Sequence, residues 1–216
     1  QLDLGRIEGA ITSKTRAIVT VSPNNPTGAV YSAADLTYVN RLCADKGLLH
    51  IRDEAYQHFV YGDAAHFSPA SLAGAAEHTI SLFSMSKSYG MSGWRIGAAL
   101  VPSSLMQDLR KIQDTNLICA PVPSQRLAAH VLASGAEWLT ARIAEMASLR
   151  EQVLQGLDAL DSPMEVPRTR GAFYFLLRLP FVAPDMPIAE RLVREFGVAL
   201  IPGSAFGAGP TVHLRL

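Results

Sequence analysis

Lys87 lies in the run Ser84-Met85-Ser86-Lys87-Ser88-Tyr89-Gly90-Met91-Ser92-Gly93-Trp94-Arg95-Ile96-Gly97, where one amine is surrounded by hydroxyls, glycines and a single arginine. A lysine that forms an imine with a phosphorylated aldehyde needs this company: small hydroxyl donors and a cation for the phosphate, and backbone that allows close approach. Arginine suits the phosphate better than lysine because its planar fork donates two parallel charge-assisted bonds. Ser84, Ser86 and Arg95 are therefore the candidate phosphate ligands, and Lys87 stays free to react. The obvious aldehyde of this kind is pyridoxal phosphate.

Three further motifs carry usable chemistry. Asn24-Asn25-Pro26-Thr27-Gly28 has the composition of a turn, and the Asn25 amide is also a donor for an oxyanion. In Asp53-Glu54-Ala55-Tyr56 the aspartate reads either as a helix cap or as the partner of a pyridine nitrogen, which it would keep protonated so that the ring is a better electron sink. In the latter case Tyr56 would reach the ring hydroxyl. Arg215, in Val212-His213-Leu214-Arg215-Leu216, reads either as a surface ion pair or as a bidentate anchor for an α-carboxylate. The aromatic run Phe173-Tyr174-Phe175 is most simply strand core, with Arg168 or Arg170 of the preceding loop free to reach a site.

The elements that must position these residues alternate between short β-rich apolar runs and helical ones, the signature of an α/β fold with a mostly parallel sheet. Strands are expected over 17–21, 48–52, 79–83 and 95–101, each ending near a chemically interesting residue, as ligands in open α/β sheets gather at the carboxyl ends of strands. Ser32 should cap a helix that stops at Gly47, and a second helix should span 103–114. Trp138, Ile143, Met146, Leu149, Val153, Leu157 and Leu160 mark a long amphipathic helix over about 136–160. Beyond it, a strand over 173–179, a helix over 187–196 and strands over 198–201 and 212–216 suggest a smaller α+β unit. The expected division is a large domain over 1–145 and a small one over 146–216, joined by the long helix. Trp94 and Trp138 are expected to pack.

The chain has 216 residues, 49% of them hydrophobic and 18% charged, with a formal net charge of +0. Balanced charge without a basic run gives no footprint for nucleic acid. No apolar run is long enough for a bilayer, the first residues lack the layout of a signal peptide, and Cys43 and Cys119 read as small buried hydrophobes in a reducing compartment, so a cytoplasmic protein with no membrane partner is expected. The first residue is not methionine, which suggests a start partway into a longer protein. Ser86-Lys87-Ser88 is no P-loop, since the preceding glycines are missing, and Gly203-Ser204-Ala205-Phe206-Gly207 is no nucleophile elbow. His50, His58, His66, His78, His130 and His213 show no metal-ligand spacing.

In order, the motifs NNPTG, DEAY, SxSK followed by G-x-x-G-x-R-x-G, GAFY, IPGSAFG and a closing arginine resemble the pyridoxal-phosphate-dependent aminotransferases of fold type I, class I/II, over the whole chain. The resemblance implies that Lys87 is the Schiff-base lysine, that Asp53 pairs with the pyridine nitrogen, and that Asn25 and Tyr56 contact the cofactor's ring oxygen. It likewise implies phosphate ligation by Ser84, Ser86 and Arg95, an α-carboxylate anchored by Arg215, and a cis bond at Asn25-Pro26. It implies amino acid and 2-oxo acid substrates exchanged by a ping-pong reaction, and a homodimer in the full-length protein. Family members carry an upstream segment with a stacking aromatic residue and part of the phosphate cradle, so the 216 residues are expected to be inactive alone. The segment 113–125 holds no arginine for a second carboxylate. Two alternatives share these motifs: a lyase or decarboxylase on the same scaffold, and the ligand-sensing domain of a transcriptional regulator.

Overall fold

In the computed structural model, which describes residues 2–135 and 137–216, the chain forms two sheets joined by a long helix. Helix α1 (Leu4–Gly9) leads into β1 (Ala17–Val21), α2 (Ala33–Lys46), β2 (Leu49–Asp53) and β3 (Thr79–Ser84). The short α3 (Met85–Ser88) and β4 (Gly97–Leu100) follow. The first sheet has the order β1-β2-β3-β4, with β1, β2 and β3 parallel. β4 is antiparallel to β3, because the link between them turns back at the strand end instead of crossing over the sheet.

Helix α2 forms where the sequence placed it. The Ser32 hydroxyl accepts from the Asp35 amide at 3.0 Å, and Gly47 closes the helix in the left-handed region at φ 64°. Leu36, Val39 and Cys43 recur at helical spacing, are fully buried, and with Leu48 and Ile18 seal α2 onto the sheet. The opposite sheet face leaves Val19 (61% exposed) and Leu82 (38%) in solvent.

Helices α4 (Met106–Asn116) and α5 (Val122–Ala133) precede α6 (Glu137–Asp158), whose expected start at Ala136 lies outside the described residues. Only part of the expected apolar stripe on α6 is covered. Ile143 and Met146 pack on Tyr56, Phe59 and Tyr61, and Val153 and Leu157 pack with Leu154 on Phe175 and Leu177. Trp138 is 50% exposed and Trp94 45%, so neither is the packing residue the sequence suggested. Cys119 is also exposed, whereas Cys43 is buried as expected. Burial raises the Cys43 thiol to about 11.

The second sheet has the order β5-β7-β6, all antiparallel, from β5 (Leu176–Val182), β6 (Ile201–Pro202) and β7 (Thr211–Arg215), with α7 (Asp185–Phe196) packed against it. β5 begins three residues later than expected: Ala172 takes a left-handed φ of 55°, which breaks extended backbone ahead of Phe173 and Tyr174. The two units touch through the Tyr56 cluster and through backbone, the Tyr61 amide donating to the Arg170 carbonyl and the Ala172 amide to the Phe59 carbonyl, each at 2.9 Å.

Candidate functional site

The register aligns Val21 with Asp53 and Asp53 with Leu82, so the parallel strands end together and deliver three loops to one edge. The Asn24 turn follows β1, Asp53 closes β2, and Ser84 opens the run to Lys87 after β3. Gly97 pairs with Ser84, and a Cβ there would lie 2.6 Å from the Phe83 carbonyl oxygen, so β4, which starts two residues after Arg95, approaches β3 as only glycine allows.

A buried polar layer beneath this edge holds the strand ends. Arg52 is fully buried and donates to the carbonyls of Thr20, Ser22 and Asp53, tying the end of β1 to the end of β2. Glu54, also fully buried, accepts from His66 at 2.7 Å and from the Ser68 hydroxyl at 2.8 Å. Burial pushes the Glu54 carboxyl up, but hydrogen bonds led by that from His66, together with the Arg52 charge, outweigh it and leave the group below its ordinary value. One strand pair further down, the Asn40 amide donates to Thr79 at 2.8 Å and to His50 Nδ1 at 3.1 Å, which leaves the imidazole proton on Nε2 toward Thr20, 2.9 Å away. Burial, reinforced by the Arg52 charge, pushes His50 down to about 4, so it is neutral in the fold.

At the edge itself the sequence-derived candidates divide into those in mutual contact and those that stand apart. Asn24 uses its own side chain to close the turn, accepting from the Thr27 amide at 3.2 Å and hydroxyl at 2.7 Å. That leaves Asn25 directed outward from the turn, and its Oδ1 accepts from Arg215 Nη1 at 2.7 Å across 190 positions of sequence. The Asn25-Pro26 bond is cis, as is Ser22-Pro23. The Tyr56 hydroxyl lies 3.0 Å from that of Tyr174. Burial and then the hydrogen bond to Tyr174 raise the Tyr56 phenol far above its ordinary value.

Asp53 Oδ1 accepts from the Ala55 amide at 3.0 Å, and among the described residues Oδ2 takes no hydrogen bond. Lys87 is exposed, makes no ion pair among the described residues, and holds Nζ 5.9 Å from the centroid of the Phe173 ring. Ser84 caps α3 by accepting from the Ser86 amide at 3.2 Å. Arg95, in a left-handed backbone at φ 49°, folds back on the Ser92 carbonyl at 2.9 Å and, among the described residues, makes no side-chain hydrogen bond to Ser84 or Ser86. Arg168 and Arg170 do not join the site: they pair on the surface with Asp158 and Asp63.

Sequence reasoning missed the aromatic residues around Arg215. Its guanidinium carbon is 4.5 Å from the Tyr174 ring centroid and 4.8 Å from that of Phe206. The available signal was the GAFY tetrapeptide, whose aromatic residues look like strand core until Ala172 is seen to turn the chain.

The family model described as "Aminotransferase class I and II" matches residues 1–216. The aspartate aminotransferase of Pyrococcus abyssi is 33% identical over 100% of this chain and 56% of its own length. The aspartate/prephenate aminotransferase of Thermus thermophilus is 36% identical over 99% of this chain and 54% of its own. Among solved structures, an aromatic aminotransferase from Pyrococcus horikoshii superposes with TM-score 0.91 at 33% identity, covering 100% of this chain and 58% of that one. The N-succinyldiaminopimelate aminotransferase of Mycobacterium tuberculosis gives 0.91 at 30% identity, covering 100% and 57%. The chain thus spans just over half the length of the relatives it matches.

Proposed function

This chain belongs to the aminotransferase class I and II family, and on that premise we propose that the protein carrying it moves an amino group between an amino acid and a 2-oxo acid with pyridoxal phosphate held at Lys87. The observation that carries the reading is the Arg215–Asn25 contact. It joins a carboxylate-binding cation from the second sheet to the strand-end edge that bears Asp53, Tyr56 and Lys87.

The donor set fits the cofactor. Lys87 offers an amine free of ion pairs among the described residues, Asp53 keeps Oδ2 open for a protonated ring nitrogen, and Ser84, Ser86 and Arg95 sit on adjoining segments as hydroxyls and a cation for phosphate. When bound, the group supplies an electron sink for the pair released at the substrate's Cα. Asp53 would keep the ring nitrogen protonated, and Asn25 and Tyr56 would hold the ring oxygen. Arg215 grips the α-carboxylate and fixes which Cα bond faces Lys87. Once the substrate's amine has displaced it from the cofactor, the freed Lys87 Nζ would take the proton from Cα as a general base. Both half-reactions use one set of residues, so ping-pong kinetics follow.

The test is a donor and acceptor panel on the intact, cofactor-loaded protein, with 2-oxo acid, ammonia and carbon dioxide all measured. Stoichiometric 2-oxo acid is expected. Release of ammonia or carbon dioxide without a new amino acid would assign a lyase or decarboxylase, and tight cofactor binding without turnover would assign a sensor.

A further inference from the structure

Tyr174 is in contact with both the carboxylate anchor, Arg215, and the phenol of Tyr56. Its ring lies against the Arg215 guanidinium at 4.5 Å and meets Tyr56 edge-on, centroids 5.7 Å apart at 78°. Its hydroxyl is 3.0 Å from that of Tyr56. It also leans on Phe173, with centroids 4.6 Å apart, and the Phe173 centroid lies 5.9 Å from Lys87 Nζ. Phe206 also lies against Arg215, 4.8 Å from ring centroid to guanidinium carbon, and its turn is fixed by Asp185, which accepts from the Ser204 hydroxyl at 2.6 Å and amide at 2.8 Å. Arg215 thus contacts two aromatic rings before any carboxylate arrives.

We propose that Tyr174 is a positioning residue for the reaction: its ring presets Arg215 for the substrate carboxylate, and its hydroxyl donates to Tyr56, making Tyr56 a stronger donor to the cofactor's ring oxygen. This rests on the function proposed above. An arginine held flat against aromatic faces loses less freedom on binding a carboxylate, so the ring contributes affinity without touching the ligand. The hydroxyl acts differently. If Tyr56 gives its proton to a ring oxygen, the donor between the two phenols must be Tyr174, and such a chain strengthens the terminal bond. The titratable and charged groups that face Tyr56 are Tyr174, Asp53 and Arg215.

Two substitutions separate the roles in the intact, cofactor-loaded protein. Tyr174→Phe keeps the ring and removes the hydroxyl. It should move the pH midpoint of the bound cofactor's absorbance upward by about half a unit, since an ionised ring oxygen loses support, while binding of succinate and 3-phenylpropanoate changes less than about twofold. Tyr174→Leu should also weaken whichever of these carboxylates binds by about three- to thirty-fold. An unmoved midpoint in Tyr174→Phe, or unchanged carboxylate binding in Tyr174→Leu, overturns the proposal. If the unaltered protein takes up cofactor and titrates, either result counts against Tyr174 alone. If the unaltered protein takes up no cofactor, the functional reading fails and takes this one with it.

Discussion

Gly171 sits where the two units of the fold press together, and replacing it with alanine tests whether that contact sets the site. A Cβ at Gly171 would fall 2.5 Å from Val30 Cγ2, 2.7 Å from Pro23 Cβ and 3.1 Å from Pro23 Cγ. Normal carbon contacts begin near about 3.5 Å, so roughly 1 Å of separation is required. Pro23 is a fully buried ring beside the Asn24 turn, and Gly171 is bridged to Val60, with the next amide bonded to Phe59, so relief means moving backbone. Overpacking of this kind costs about 1–3 kcal/mol, and a weakened hydrogen bond adds about 1 kcal/mol. At about 2–4 °C per kcal/mol the melting temperature should fall by roughly 4–16 °C. Tyr174 lies three residues on, so the same displacement should loosen the Arg215–Asn25 contact and lower kcat/KM by as much as about 100-fold. The assays are thermal unfolding and steady-state kinetics of the intact protein. Gly156→Ala in α6 is the control: nothing lies within 4 Å of the added carbon, and helix propensity should make it neutral or stabilising by up to about 1 kcal/mol. A Gly171→Ala protein with parental melting temperature and kcat/KM would show that close packing at Gly171 does not set the site.

Acidification should weaken the fold through His50. Its folded value of about 4 lies below the unfolded value of about 6.5, so its stabilisation is complete above about pH 6.5 and is lost as pH falls toward 4, about 3 kcal/mol in all. Denaturant titrations across this window should show a shallower slope in His50→Gln, with burial-depressed His58 supplying a remainder; an unchanged slope would clear His50. Ser32→Ala removes the cap on the Asp35 amide and should cost about 1 kcal/mol in the same titrations, and no loss would mean the cap is redundant.

The parallel part of the fold was legible because each strand is a short apolar run ending at a residue that water or a ligand must meet. The expected 17–21 is β1 itself, β2 is shifted by one residue at both ends, and β3 runs one residue further than expected. The cap at Ser32 and stop at Gly47 were readable for the same local reason. What could not be read depends on contacts distant in sequence. The antiparallel turn of β4 is decided by its pairing with β3, and the late start of β5 by one left-handed alanine packed at the junction. Helix α5 went unread: Pro121 and Pro123 stand at its start, and only Ser124 and Ala128 are buried. The site's residue types were visible as motifs, and Asn25, Tyr56 and Arg215 do converge. The aromatic contacts of Arg215 were not visible, because Tyr174 reads as strand core and Phe206 lies in a turn, neither linked to Arg215 until the chain folds.

The proposed covalent bond between Lys87 Nζ and the cofactor is read from the absorbance spectrum of the intact protein with bound pyridoxal phosphate, compared with that of Lys87→Ala. The expected result is a pH-dependent band of the lysine-bound cofactor that disappears in Lys87→Ala together with turnover. Persistence of both the band and the turnover in Lys87→Ala would contradict it.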